Sequence, residues 1–266
     1  MNMYLHEIKS MRKSTIIWIC AMLAIAIIYF ALYPGIVEDA ADFKKLIGSY
    51  PAAVRAAMGI SIDNITSILG FYSMIFSFIT LCGAIQAMNI GVSIISKEAR
   101  ERTADFLLVK PVSRISIVTA KLMAAITMLL ATNVIYYAGA YILASIVKTS
   151  HYSIKVFFMI NLALFFIQLI FLAIGMVISV FFTKLKSVFP ISLGTVFGFF
   201  IIGALIDNDK NDGIRFISPF RYFDLSYIIK NSSYEAAYLI VSAIIVIAAV
   251  AATYLIYTKK DIHAVS

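Results

Sequence analysis

The sequence predicts an all-α integral membrane protein with six transmembrane helices and both termini on the cytoplasmic side. Of its 266 residues, 62% are hydrophobic and 14% are charged, whereas a soluble domain has about half apolar and about a quarter charged residues. The apolar residues form runs of about 20, the length that crosses a bilayer as a helix. The basic residues cluster in segments that would all face one side of the membrane.

Six stretches without Lys, Arg, Asp or Glu are long enough to cross the membrane. The third span is expected to begin slightly before its charge-free stretch, which starts at Leu122. The predicted spans are about residues 15–34, 69–96, 117–147, 156–182, 187–206 and 236–258. They form a single domain of residues 14–258, with a cytoplasmic loop at 97–114, external segments at 38–66 and 207–235, and a cytoplasmic tail at 259–266.

Residues 1–13 are predicted to form a short amphipathic helix on the inner membrane surface. Tyr4, Ile8 and Met11 recur at helical spacing, with charged residues between them. The basic residues before the first apolar run are also typical of a secretory signal. That run is long enough to span the membrane, and Tyr33-Pro34-Gly35 is not a small-residue cleavage site, so we expect an uncleaved first span.

The charge distribution fixes the predicted orientation. With the N-terminus inside, the inner segments hold thirteen basic and five acidic residues, and the outer segments hold nine of each. The whole net charge of +8 then lies on the cytoplasmic side, as the positive-inside rule requires. This accounts for the basic balance without nucleic acid, which is therefore not expected as a partner.

The chain has none of the sequence motifs that would make it an enzyme. It lacks a phosphate-binding P-loop, a zinc-protease motif and a nucleophile-elbow motif, and its three histidines are scattered. Both cysteines lie inside apolar runs, so neither a metal site nor a disulfide is expected. None of the charge-free stretches contains a histidine either, so no Asp, Glu, Lys, Arg or His is expected at mid-depth, which argues against an ion-coupled carrier.

The loop at 97–114 has the features of a docking element. Its first half is charged, Phe106 to Leu108 form an apolar cluster, Pro111 ends any preceding helix, and Ser113 is placed to cap the third span. A short helix with an exposed apolar cluster suits a groove on another protein. From composition alone, an ordinary basic loop fits equally well.

The segment from Lys97 to Lys121 resembles the loop after the second span of ABC-2 type transporter permeases. That family has acidic residues around a Gly-Thr pair, then Leu-Leu and Pro-Val-Ser-Arg before the third span. The residues that match are Glu98, Thr103, Asp105, Leu107, Leu108, Pro111, Val112, Ser113 and Arg114. Arg102 stands where the family usually has glycine. A weaker resemblance, in the number and orientation of spans, covers the whole chain.

The resemblance implies a permease subunit of an ATP-binding cassette exporter in a prokaryotic-type cell membrane. Its implied partners are a separate ABC ATPase subunit, which would bind ATP and Mg, and a second permease copy or a paralogue, with membrane lipid around them. The loop would be the coupling helix that contacts the ATPase. The contact residues implied are Glu98, Arg100, Glu101, Arg102, Thr103, Asp105, Phe106, Leu107, Leu108, Pro111 and Arg114.

Two further regions carry candidate roles. In the external segment 207–235, the resemblance implies re-entrant helices and an outer gate formed by Pro219, Phe220, Tyr222 and Phe223; an aromatic interface belt is the alternative. In the fifth span, Gly194 and Gly198 form a GxxxG motif that allows close helix approach and is a candidate dimer interface.

The polar residues inside the spans have two interpretations. They either join neighbouring helices or line a substrate path. The candidates are Gln86, Asn89, Asn133, Tyr137, Asn161 and Gln168. The alternatives to an exporter subunit are a membrane scaffold or sensor that docks a partner through the same loop, and a membrane-embedded enzyme. The apolar spans favour a hydrophobic or amphipathic cargo.

Overall fold

The chain folds as a bundle of long α-helices. The computed structural model describes residues 3–51, 54–55, 65–100, 113–149, 151–182, 187–205 and 215–259, with side chains of 98–100 outside the description. Its helices are α1 (Met3–Glu38), α2 (Ala40–Gly48), α3 (Ile68–Arg100), α4 (Arg114–Val147), α5 (Ile154–Phe181), α6 (Phe189–Leu205), α7 (Leu225–Asn231) and α8 (Ala236–Lys259), with a 3-10 helix at Pro219–Arg221. No strand occurs in the described ranges.

The prediction of an all-α membrane fold is confirmed. Five helices, α1, α3, α4, α5 and α8, are long and apolar enough to cross a membrane. The sixth apolar helix, α6, has 17 residues and is about 25 Å long, slightly less than the hydrocarbon core of about 30 Å. Within the described residues, the predicted fifth span at 187–206 is a shorter apolar helix, Phe189–Leu205.

The N-terminal region differs from the prediction. A separate surface helix over residues 1–13 was expected before the span at 15–34, but α1 runs without a break from Met3 to Glu38 and contains Pro34. No Gly or Pro precedes Pro34 in α1, so nothing in the local sequence ends the helix near residue 13. The Tyr4 hydroxyl lies 3.0 Å from Thr127 Oγ1, so the first turn of α1 packs against α4.

Side-chain caps set the starts of three helices. The Ser113 Oγ accepts a hydrogen bond from the Ser116 amide at 3.2 Å, as predicted for the third span. The Ser153 Oγ accepts from the Val156 amide at 3.3 Å at the start of α5. The Asp224 carboxylate accepts from the Tyr227 amide at 3.0 Å and starts α7. Each cap satisfies an amide that the helix itself cannot pair.

The centre of the bundle is the contact between α3 and α5. α3 is the most buried of the long helices and α8 the least. A Cβ on Gly175 would lie 2.8 Å from the Met88 carbonyl oxygen and 2.9 Å from the Val92 nitrogen, and a Cβ on Gly91 would collide with the Leu172 carbonyl oxygen. Glycine at both positions allows the two backbones to approach this closely.

Four helix ends meet at one end of the bundle. Lys121 of α4 lies 3.7 Å from Glu7 of α1, Lys97 of α3 donates to Ser10 of α1 at 2.6 Å, and Arg114 of α4 donates to the carbonyl oxygen of Thr258 in α8 at 3.4 Å. The start of α1 and the end of α8 therefore lie on the same side. We call this the basic end; it corresponds to the predicted cytoplasmic side.

Candidate functional site

The middle of the predicted coupling loop lies outside the described residues. This applies to the side chains of Glu98 and Arg100 and to all of Glu101, Arg102, Thr103, Asp105, Phe106, Leu107, Leu108 and Pro111. The structure describes the two anchors of the loop, which are the end of α3 and the start of α4. At the second anchor, half-buried Arg114 joins α4 to the end of α8 through the Thr258 carbonyl oxygen.

A buried ion pair lies beside these anchors. Lys121 is 1% exposed and Glu7 is 5% exposed, with 3.7 Å between the Lys121 Nζ and the Glu7 Oε1. The Lys121 Nζ also donates to the Ile94 carbonyl oxygen of α3. Lys121 thus joins α1, α3 and α4 about 10 Å along α4 from Arg114. Removing one member of such a pair leaves a buried, uncompensated charge.

In the sequence, Lys121 is predicted only as an inner basic residue and the last residue of the family-like segment, with no partner assigned. Its helical periodicity was the signal that could have located it in the core. Lys121 continues the spacing of Ile117, Ala124 and Met128, all of which are buried in α4. A lysine on the core-facing stripe of a helix needs an acidic partner, and Glu7 supplies it from α1.

Three of the predicted path residues form one interhelical network. The Gln168 Nε2 donates to the Gln86 Oε1 at 3.2 Å, the Asn133 Nδ2 donates to the Gln168 Oε1 at 2.5 Å, and the Gln86 Nε2 donates to the Thr132 Oγ1 at 2.9 Å. Gln86, Gln168 and Thr132 are buried. The network connects α3, α4 and α5, which is how uncharged amides hold helices together in a membrane.

A second network contains the fourth path residue, Asn161. The Tyr72 hydroxyl donates to the Asn161 Oδ1 at 2.8 Å and lies 3.1 Å from the Tyr136 hydroxyl, again joining α3, α4 and α5. All three side chains are buried. Tyr137 lies beside this network, because its ring is 6.0 Å from Phe157, which in turn lies 4.7 Å from the Tyr72 ring.

Asn89 is half-buried on another face of α3. Together with half-buried Phe78, Cys82 and Ser93 it forms a stripe at helical spacing. This stripe, which we call the α3 stripe, is the partly polar surface of α3 that the two networks do not use.

The four predicted gate residues come together in a segment that folds back between helices. We call residues 215–235 the outer cap. The Phe220 ring lies 5.2 Å from Phe171, and the Phe223 ring stacks at 5.4 Å on Phe166. Phe166 and Phe171 lie about 18 Å and 25 Å along α5 from Ile154. Pro219, Tyr222 and Phe223 are buried, and Phe220 is half-buried. The cap therefore contacts α5 several turns from its start, and not only at its first turn.

The outer cap is attached to α6. The Ser218 Oγ donates to the Phe199 carbonyl oxygen at 2.8 Å, and the Arg221 Nε donates to the Gly203 carbonyl oxygen at 2.9 Å. A Cβ on Gly203 would lie 2.7 Å from the Ser218 Oγ. Glycine at this position lets the cap approach the short helix and cover its end.

An ion pair that the sequence analysis did not identify holds the outer cap to the start of α8. Arg215 donates from its two terminal nitrogens to the two oxygens of Glu235, at 2.5 Å and 3.3 Å, and its guanidinium lies 4.2 Å from the centre of the Tyr238 ring. Burial alone would lower the pKa of Arg215, but the Glu235 contact outweighs it and the pKa is raised. The available signal was the presence of Arg215 and Glu235 at the two ends of an aromatic segment.

Tyr234 closes the same cap from its other end. Its hydroxyl donates to the Met159 carbonyl oxygen at 2.8 Å, and burial raises its pKa to about 12. The phenol is neutral at physiological pH and, because its pKa is raised, keeps its proton for this hydrogen bond at higher pH than an exposed tyrosine would.

Gly194 and Gly198 lie on the exposed face of α6. A Cβ built on either glycine would meet nothing within 4 Å. Ile201 and Leu205, 54% and 75% exposed, continue the same face at helical spacing. The result is an apolar stripe of α6 that the described part of the chain leaves open.

Within the described ranges, no three His, Cys, Asp or Glu side chains come together as a metal site. A family model described as ABC-2 family transporter protein matches residues 1–262, and the chain belongs to this family. The resemblance inferred from the loop motif is thereby confirmed. No curated protein matches the chain.

The buried ion pair makes a prediction about stability. Lys121→Met should lower the free energy of unfolding by about 3–5 kcal/mol, because it leaves the Glu7 carboxylate buried without its partner. The double variant Glu7→Met with Lys121→Met should recover most of this loss. Thermal unfolding of the purified protein in one detergent measures both. Lys97→Met, which removes a more exposed contact, is the control. A double variant no more stable than Lys121→Met would contradict the pairing.

Proposed function

We propose that this ABC-2 family protein is the permease subunit of an ATP-binding cassette exporter and receives its energy from a separate ABC ATPase. Several helix ends meet at the basic end, around the loop that carries the family motif, and this observation carries the proposal. ATP and Mg would bind to the ATPase. The exporter would reside in the cell membrane, with the basic end facing the cytoplasm.

Movement of the coupling loop would reach the bundle through α3 and α4. The loop joins these two helices directly, and the Lys121 ion pair adds α1 to them within about two turns. Further along, the networks of Gln86 and Tyr72 connect α3 to α4 and α5. A displacement at the loop would therefore move the bundle as a unit rather than bend one helix.

The substrate path would run along the α3 stripe, between two copies of the permease or between this chain and a paralogue. Asn89 and Ser93 offer polar groups there, whereas the bonds made by Gln86, Asn133, Asn161 and Gln168 favour a role in helix packing. The outer cap would then be the external gate. A membrane scaffold that only docks a partner remains the alternative function, and it would not need a cap that can open.

The apolar cluster of the coupling loop generates the first functional prediction. The double variant Phe106→Asp with Leu107→Asp should abolish binding of the ATPase, because two charges would have to enter an apolar groove. We expect the ATP-hydrolysing activity that co-purifies with the tagged permease to fall at least about tenfold. Membrane insertion should be unchanged.

Leu46→Asp with Tyr50→Asp is the matched control, since both side chains are exposed near the opposite end of α1. The control should retain the co-purifying activity. An undiminished yield of the ATPase with the loop variant would count strongly against the coupling role.

The open stripe of α6 predicts a permease–permease contact. Gly194→Leu with Gly198→Leu should leave the fold intact, because both positions have open space, but should prevent close approach of a second helix. Subunit counting in mild detergent should show the assembly shift from dimer to monomer. Gly48→Leu, another position with open space, should leave the assembly unchanged. If the Gly194→Leu with Gly198→Leu variant still forms a dimer, this face of α6 is not the contact between the two permease copies.

The outer cap predicts a reversible block of the ATPase cycle. A Cβ on Gly203 would lie 3.3 Å from the Ser218 Cβ, close to the separation of about 3.5–4.5 Å in a disulfide. Gly203→Cys with Ser218→Cys, in a background without Cys20 and Cys82, should therefore cross-link the cap to α6. If the cap must open, ATP turnover by the co-purified complex should fall several-fold on oxidation and return with reductant.

Each single cysteine variant is the control and should not respond to oxidation. Full turnover in the cross-linked protein would show that this cap contact stays closed throughout the cycle, which would contradict the gate.

A further inference from the structure

An apolar crevice opens between α4, α5 and α8, away from the outer cap and from the α6 stripe. Its volume is about 420 Å³, and every side chain that lines it is aliphatic. Leu122 and Ile126 form one wall, Val250 and Ala251 the opposite wall, and Leu172 belongs to the floor. The crevice offers no hydrogen-bonding side chain, so water and polar cargo would be poor occupants.

The depth of the crevice corresponds to the tails of the inner leaflet. Leu122 lies about 12 Å along α4 from Arg114, and Ala251 lies about 12 Å along α8 from Lys259. Ile126 is about 18 Å from the same end of α4. Half of the hydrocarbon core is about 15 Å thick and lies beneath a headgroup layer, so the crevice is at the level of acyl chains.

Below the crevice, polar contacts close the seam between α4 and α8. The Thr119 Oγ1 and the Tyr254 hydroxyl lie 2.8 Å apart, and Arg114 reaches the Thr258 carbonyl oxygen one turn further down. The two helices touch at the basic end and separate above it. An acyl chain would therefore enter from the side of the bilayer, with its headgroup beside the closed part of the seam.

The closed part of the seam is positively charged. Arg114 and Lys259 lie at the starting and ending turns of the two helices, and Lys259 is exposed. Residues 114–126 and 246–259 contain no Asp or Glu, and the two residues after Lys259 are Lys260 and Asp261, which leaves the end of α8 basic. Basic residues between helices on the cytoplasmic side attract the phosphates of anionic lipids.

We propose that this seam is a binding site for one anionic phospholipid of the inner leaflet, with an acyl chain in the crevice and the phosphate beside Arg114 and Lys259. Lipid tails are as apolar as leucine, so selectivity for this lipid cannot come from hydrophobicity. The selectivity comes from the phosphate, while the acyl chain of the lipid fills space that the helices leave unpacked. The site is separate from the α3 stripe proposed for the cargo.

The test compares two lipids with identical chains, phosphatidylglycerol and phosphatidylcholine, titrated into the delipidated full-length protein and counted by native mass spectrometry. The wild type should bind one phosphatidylglycerol several-fold more tightly than phosphatidylcholine. Lys259→Gln should weaken phosphatidylglycerol binding about fivefold and leave phosphatidylcholine unchanged. Lys230→Gln, an exposed lysine of α7 at the other end of the bundle, is the charge control.

The crevice has its own pair of variants. Ala251→Phe fills it from α8 and should reduce binding of both lipids, whereas Ala248→Phe adds the same ring at an exposed position of α8 that does not line the crevice. Ile247→Trp, at the exposed rim, repeats the filling test if Ala251→Phe lowers stability in thermal unfolding.

Two results would overturn the proposal. Equal affinity of the wild type for the two lipids would show that the seam does not select an anionic headgroup. Equal lipid binding by the Ala248→Phe, Ala251→Phe and Ile247→Trp variants would show that the acyl chain does not lie in the crevice.

Discussion

The rest of the bundle depends on the close approach of α3 and α5. Gly91 and Gly175 bring the two backbones within reach of each other, and this proximity puts Gln86 within 3.2 Å of Gln168 and Tyr72 within 2.8 Å of Asn161. In a bilayer, helices gain nothing by hiding leucine from lipid, so packing and hydrogen bonds must hold them. Close packing and interhelical hydrogen bonds both act here on the pair α3 and α5. α4 then joins through Thr132, Asn133 and Tyr136.

The same rigid pair explains the different character of the two ends. At the outer end, the outer cap packs beside the short helix α6 and places Phe220 and Phe223 against α5. At the basic end, no cap is present in the described ranges, and charges connect α1, α3, α4 and α8 instead. One end is closed by aromatic packing and one ion pair, and the other is joined by charged and polar contacts beside the anchors of the loop at 97–114.

The sequence was sufficient for the membrane fold, the number of apolar helices and the Ser113 cap, because each follows from hydrophobic length or a local hydrogen bond. It was insufficient for the ion pairs Glu7–Lys121 and Arg215–Glu235. These join residues far apart in the chain, and their pairing depends on which helix faces are adjacent. The continuity of α1 was missed for a related reason: the amphipathic pattern before Ser14 describes which side chains are apolar, not where the helix ends.

The geometry separates the candidate path residues into two groups that the sequence alone cannot separate. Asparagine and glutamine in a span either bond across helices or face a cavity, and both choices have the same composition. Gln86, Asn133, Asn161 and Gln168 take the first choice with named partners, while Asn89 stays half-buried on the α3 stripe. Since α3 leads into the loop proposed to couple to the ATPase, a helix held on its α5 side could move as one body and carry the α3 stripe with it. Coupling would then need no flexible element inside the membrane.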